Sequence, residues 1–159
     1  MPNLNNPEFD DVREQPGFRA RRAKVGRQGG AAKTGLSYWE IDPGEAAYPY
    51  HAHLTEEEII VVLQGQPSLR TPDGWRELDQ GEVVVFPTGE RGAHQIVNKT
   101  GETIRFLAFS NSGAPEIVIQ LDAGKVGAFE RPVDGAGISL WFRQADAVEY
   151  FEGVERSDA

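Results

Sequence analysis

The sequence predicts an all-β domain built as a sandwich or barrel, and three observations point there. From residue 34 onward, short apolar stretches alternate with turn residues, the pattern of many short strands in one sheet system. No long stretch repeats its apolar residues at helical spacing. The chain has 159 residues, 39% of them apolar, which is enough for one core and too little for several.

In chain order, residues 1–16 read as a flexible lead-in, rich in Asn, Pro and acid. Residues 17–155 then form a single domain. Residues 17–27 read as a strand or arm with charges facing water, and Gly29-Gly30 is a loop. Strands are expected at 35–42, 46–53, 57–64, 67–71, 75–78, 82–87, 94–98, 103–110 and 116–121. Asp42-Pro43-Gly44, Pro72-Asp73-Gly74, Pro87-Thr88-Gly89 and Lys99-Thr100-Gly101 separate them as turns, through proline's fixed φ and glycine's access to positive φ. The run Ile59-Ile60-Val61-Val62-Leu63 lacks alternation. One face should line the interior, and the other should meet a second layer or another subunit. Segment 116–152 is expected to fold over the barrel, or over a partner, without forming the site. Its strand should bury Ile117, Ile119 and Leu121, and one short C-terminal helix is expected at 144–151.

Charge and composition exclude several functions. The net charge is −9, which argues against nucleic acid and anionic membranes as partners. It is unevenly spread: residues 1–39 sum to +3 and residues 40–159 to −12. With no cysteine, disulfides, thiolate nucleophiles and iron–sulfur clusters are excluded. Met1 is the single methionine, so a metal site must use nitrogen and oxygen ligands. No secretory signal pattern and no apolar run of membrane-spanning length is present, so a cytoplasmic protein is expected.

The three histidines carry the functional signal. His51 and His53 are two apart, so on one strand both imidazoles leave the same face. Glu58 opens the next strand, and His94 begins another. Taken singly, each has an ordinary reading as a satisfied polar residue, and Glu56-Glu57-Glu58 reads as a solvated charge run. Taken together, every histidine in the chain falls into one pattern.

That pattern resembles the cupin superfamily. Its first motif, H-x-H-x(4)-E-x(6)-G, is matched from His51 through His53 and Glu58 to Gly65. Its second, G-x(5)-P-x-G followed by H-x(3)-N, is matched by Gly81, Pro87 and Gly89, then His94 and Asn98. The resemblance covers residues 35–120, and the segment between the motifs is short, Gln66 to Gln80. Two departures stand out. Gly44 lies further from His51 than the family pattern has it, and the loop before His94 is Glu90-Arg91-Gly92-Ala93, two residues longer than usual. In this the chain also resembles a subgroup of small single-domain cupins with the same longer loop, from which no activity is carried over.

The resemblance implies a double-stranded β-helix, the cupin jelly-roll barrel. It also implies one divalent metal ion (Fe, Mn, Ni or Zn) held by His51, His53, Glu58 and His94. A small-molecule ligand or substrate and a homodimer are implied too. The catalytic residues are left unassigned. A metal-dependent enzyme of dioxygenase, decarboxylase or isomerase type is one reading; a non-catalytic ligand-binding module with a structural metal is the other. Tyr50 should point away from the histidine face, and Asn98 should stabilise its turn. Ile60 and Val62 share parity with Glu58 and should line the interior, which would suit a small, partly apolar ligand more than a large sugar phosphate.

Overall fold

The structure is a computed structural model and describes residues 1–112, 115–130 and 137–155. In chain order it contains β1 (Asp11–Arg13), β2 (Ala20–Ala23), the one-turn helix α1 (Val25–Gln28), β3 (Gly35–Ile41), β4 (His51–His53) and β5 (Glu58–Gln64). There follow β6 (Ser68–Thr71), β7 (Gly74–Glu77), β8 (Val83–Phe86), β9 (Gln95–Val97), β10 (Ile104–Ser110), β11 (Glu116–Gln120), β12 (Lys125–Phe129) and β13 (Ser139–Arg143). Every pairing between them is antiparallel. One sheet has the order β1-β2-β3-β10-β5-β8, a second β13-β12-β11-β4 and a third β7-β6-β9. This is the expected all-β barrel.

Period-2 alternation builds the core. Ile104, Phe106 and Ala108 of β10 and Ile60 and Val62 of β5 face inward and are buried. They meet Trp39, Ile41, Leu69, Phe86 and Ile96 in one cluster, with Trp39 stacked on Phe106. Emptying the Phe106 position would cost about 3–5 kcal/mol by the usual large-to-small penalty. Ile60 and Val62 therefore lie inside the barrel as expected, yet they are not on the cavity wall. The inference that they shape a partly apolar ligand site is corrected by that placement.

The second layer over the six-stranded sheet comes from the N-terminus. Ala23, Val25 and Tyr38 form a buried cluster with Phe9, Leu36, Leu63 and Leu107 packed against it. Within residues 1–16, Asp11–Arg13 forms a strand on β2. Backbone pairing, not composition, tethers that part of the lead-in.

The C-terminal half departs from expectation in two ways. The helix foreseen over 144–151 is a single 3-10 turn at Gln144–Asp146, which ends at an extended Ala147. A helix that short has too few hydrogen bonds to offset its nucleation cost. The strand at 116–120 runs in the opposite phase: Glu116 and Val118 are buried, and Ile117 faces outward. Register explains this. Val118 pairs with His53 and Gln120 with His51, so the even residues share the histidine face. Residues 131–136 of the covering segment lie outside the described residues. No helix among the described residues is long and apolar enough to cross a membrane.

Candidate metal centre

His51 and His53 project from β4 to one side, as their spacing requires. His94 is fastened to His51 by a two-bond backbone bridge: His51 N donates to His94 O at 3.1 Å, and His94 N to His51 O at 2.8 Å. Glu58 opens β5 opposite Phe86. The Phe86 ring lies flat on the His94 imidazole, with centroids 3.8 Å apart. Ligand atoms of His51, His53 and Glu58 all lie within 4.8 Å of one another. Glu58 Oε2 is 2.8 Å from His94 Nε2 and 4.0 Å from His53 Nε2. All four residues singled out by the spacing are thus brought together.

The outer nitrogen of each ring faces an oxygen. His51 Nδ1 lies 3.0 Å from Pro49 O, and His94 Nδ1 lies 2.9 Å from Gly92 O. His53 Nδ1 lies 3.5 Å from the Glu116 carboxylate. At His51 and His94 the carbonyl accepts the ring N–H, so Nδ1 carries the proton and Nε2 is left with a bare lone pair, and at His53 the Glu116 carboxylate beside Nδ1 favours the same tautomer. Those Nε2 atoms converge. His51 Nε2 and His53 Nε2 are 3.0 Å apart. His94 Nε2 and Glu58 Oε2 are both buried without a hydrogen-bond partner, although they are neighbours. Lone pairs pressed together in this way repel unless a cation sits between them, so this group could hold a metal ion. The longer loop before His94 is part of the device. Its 3-10 turn, Glu90–Gly92, supplies the Gly92 carbonyl that sets the His94 tautomer. Gly92 is required there, because a Cβ would fall 1.8 Å from Pro87 O.

Electrostatics follow from burial. Desolvation, with the neighbouring imidazoles adding to it, lowers the His51 pKa to about 3, so the ring stays neutral. Burial pushes Glu58 upward, but the imidazoles of His94, His53 and His51, when they carry protons, outweigh it and hold the carboxyl down at about 2. His53 is raised: burial opposes charge there, and Glu116, Glu58 and Glu56 prevail.

Three further residues belong to the site and were not assigned to it from sequence. Tyr48 packs edge-on against His51 and His94, and its hydroxyl is buried with no hydrogen-bond partner. Burial, then the Glu58 charge, raise its pKa well above the usual value, so it is a neutral phenol. Glu56 is buried on the cavity wall and is not part of a solvated run. Its parity with Glu58 was the available signal. Glu116 is 1% exposed and accepts bonds from Leu54 N and from the Thr55 hydroxyl, beside His53. The expectation that segment 116–152 stays out of the site is therefore corrected, since the register of β11 on β4 delivers that carboxylate.

Other placements match the sequence. Tyr50 turns away from the histidines, into a cluster with Ala52 and Ala93. Asn98 caps its turn, donating to Ile41 O and Glu102 O and accepting from Thr100 N. Above the imidazoles opens a cavity of about 330 Å³, lined by Tyr48, His51, His53, Glu56 and Glu58 at its floor.

Residues 37–110 match the Cupin domain family. The solved structure of the polyketide cyclase RemF from Streptomyces resistomycificus is 30% identical, over 66% of this chain and 77% of that one, with a TM-score of 0.53. A protein from Acidithiobacillus ferrooxidans, provisionally named a sugar phosphate isomerase, is 25% identical over 94% of this chain and 89% of its own, with a TM-score of 0.75. A sugar phosphate isomerase of the cupin superfamily from Silicibacter pomeroyi is 20% identical, covers 96% and 98%, and has a TM-score of 0.78. No curated protein matches the chain. Over residues 37–110 the chain belongs to the Cupin domain family, and it shares its fold with the Silicibacter protein.

Proposed function

We propose that the chain is a metal-dependent enzyme of isomerase or cyclase type, acting on a small carbonyl-bearing molecule. One divalent ion would be held by His51, His53, Glu58 and His94. A single observation carries the metal assignment: three imidazoles turn their Nε2 atoms toward one another and toward a carboxylate, with the Nδ1 of His51 and of His94 held by backbone carbonyls. When bound, the ion supplies Lewis-acid polarisation of a substrate oxygen.

The chain's own groups complete the acid–base set. Isomerisation and aldol-type cyclisation both remove a proton from carbon beside a carbonyl and return one elsewhere. Glu56, a carboxylate on the cavity wall, is placed to take that proton. The Tyr48 phenol, neutral and without a partner, is placed to donate to the oxygen that gains charge. The names of the Acidithiobacillus and Streptomyces relatives support this reaction type over oxygenation.

Association is part of the reading. Val83 and Val85 of β8 and Leu140, Trp141 and Phe142 of β13 are exposed apolar side chains, and they suit a homodimer. The test of function is metal analysis of untagged protein, followed by solvent-deuterium exchange into small ketones and hydroxyaldehydes. Stoichiometric metal with exchange that Glu56→Gln abolishes is expected. Protein that takes up no metal overturns the reading. Bound metal without exchange on any substrate favours the ligand-binding module.

A further inference from the structure

One face of the four-stranded sheet carries more than the metal floor. Register sets His53 of β4 opposite Val118 of β11, Val118 opposite Gly127 of β12, and Gly127 opposite Trp141 of β13. Residues directly opposite one another in a sheet project to the same side. The imidazole and the indole therefore stand in one row on one face, and both line the cavity. By alternation, Leu140 and Phe142 leave the other face of β13. Strands lie about 4.8 Å apart, so the three steps of the row span about 14 Å along the sheet. Val118, buried between the two ends, keeps the row apolar.

Gly127 lets the indole lean inward. It is buried in mid-strand, where a glycine weakens the strand and marks a close approach. The approaching group is Trp141: a Cβ on Gly127 would fall 2.8 Å from Cη2 and Cζ3 and 2.9 Å from Cε3 of its ring. The six-membered ring thus lies over the Gly127 backbone, one strand nearer the histidines than its own Cα. Covering the glycine accounts for one side of the indole. It leaves the rest unexplained, since Trp141 is 47% exposed and lines the cavity. The Phe129 ring stands 5.9 Å from it, tilted by 39°, and lines the same cavity. Two aromatic rings meeting at that angle form a corner that a third ring enters by offset or edge-to-face contact.

We propose that the Trp141–Phe129 corner is an aryl subsite, which holds an aromatic ring of the substrate while that molecule's carbonyl reaches the histidine floor. That the ring belongs to a substrate rests on the enzyme reading above; ring binding by the corner does not. The indole over Gly127 lies two strand spacings, about 10 Å, from the His53 position. The ring and the reacting carbonyl therefore sit on separate parts of one elongated molecule, joined by a short chain that passes Val118. A cavity of about 330 Å³ is of the size that takes such a ligand. The β12–β13 pair then selects for a flat, apolar end on the substrate.

The probe is benzylacetone, an aryl ketone, with its cyclohexyl analogue as the puckered comparator. Each is titrated into the isotope-labelled full chain, as purified and again after chelator, while the indole N–H signals of the three tryptophans are followed by NMR. Benzylacetone should shift the Trp141 signal, assigned by its loss in Trp141→Leu. It should leave in place the signal of Trp75, which lies against Lys99 away from the cavity. Trp141→Leu should lower benzylacetone affinity by about tenfold, and Trp141→Phe by less. Gly127→Ala, which puts a Cβ where the ring lies, should weaken binding as well. Metal uptake and melting temperature of Trp141→Leu should match the wild type, because Trp141 is half exposed on an edge strand. Equal benzylacetone affinity in the wild type and Trp141→Leu overturns the proposal, as does a Trp141 signal that benzylacetone does not move. A cyclohexyl analogue that binds as tightly overturns the aryl assignment. Ring binding at Trp141 in a protein that takes up no metal keeps this subsite and removes the enzyme reading.

Discussion

The two ends of the chain cover the barrel by opposite means. At the N-terminus, Phe9 packs on Tyr38, and Val25 and Ala23 are buried beneath α1 and β2. The one buried acid of that layer, Glu40, is fully engaged: Arg21 lies 2.7 Å away, Arg105 2.8 Å, and the Tyr38 hydroxyl donates to it at 2.9 Å. At the C-terminus, β11 is integral to the barrel, but β13 leaves Leu140, Trp141 and Phe142 about half exposed. Trp141 lies flat on Gly127, where a Cβ would meet its ring at 2.8 Å. Charge makes the basic end read as a solvated arm, and apolar content makes the acidic end read as a cover. Burial is decided by what each residue meets: the arginine-rich strands find carboxylates and aromatic faces, whereas the last apolar strand meets little within one chain.

Deleting the C-terminal segment at two places separates its roles, and the larger deletion should have the largest effect of all. Truncation after Ser112 removes β11, so β4 loses its partner and His53 loses Glu116. The newly bared apolar surface should cost several kcal/mol at about 25 cal/mol per Å² and produce aggregation. Light scattering and metal uptake read both losses. Truncation after Glu130 keeps β11 and β12 and should stay folded with metal intact. If the Ser112 truncation were soluble, unchanged in melting temperature and still metal-binding, the register argument for β11 would fail.

Next in size is the loss at the histidine floor, which touches neither cover. His51→Ala/His53→Ala should lose most bound metal and remain folded, because the Phe106–Trp39–Ile60 core is separate from both rings. Full occupancy by metal analysis would refute the ligand assignment. Glu116→Gln sharpens the same point. It keeps the shape and bonds to Thr55 but weakens the acceptor at His53 Nδ1, so metal affinity should drop by about tenfold. An unchanged affinity would reduce Glu116 to a strand-end fastener.

How much of this could be read in the sequence follows a physical line. His51, His53 and Glu58 lie on adjacent short elements, where period-2 alternation alone fixes direction. His94 was reached through the spacing of the second motif, and the barrel through the rhythm of turns. What escaped was delivered by register or by broken strands. Glu116 faces the site only because Val118 stands opposite His53, a long-range pairing that alternation of Ile117 and Ile119 hides. Tyr48 reaches the histidines because β4 starts at His51, three residues after it, so alternation from His51 does not extend back to it. Arg13 and Arg22 reach the cavity only through the N-terminal strand pairing Asp11↔Arg22, which neighbouring residues do not announce.

The bare end gives a smaller effect, on assembly alone. Leu140→Ser/Phe142→Ser should leave the barrel fold and metal uptake intact, since these side chains are exposed, belong to no core cluster and do not line the cavity. Sedimentation at micromolar concentration should show a dimer for the wild type and a monomer for the variant. A wild type that already sediments as a monomer would remove the homodimer.

The smallest expected effect lies under the opposite cover and appears only in alkali. Tyr38 is buried and donates to Glu40, and desolvation together with that carboxylate raises its pKa to about 12. The unfolded phenol ionises near its ordinary value of about 10. Between these values the folded chain holds a proton that the unfolded chain has lost, so stability must fall as pH rises. Below about pH 10 the contribution is fully present, and above about pH 12 it is gone. Tyr38→Phe removes the titration, along with one hydrogen bond to Glu40. The variant should therefore start slightly less stable at neutral pH and lose less between pH 10 and 12 than the wild type. Thermal melts across that window measure the slope directly. If both proteins lose stability in parallel, the N-terminal cover is open enough for Tyr38 to ionise while folded, and the contrast with the exposed C-terminal strand weakens.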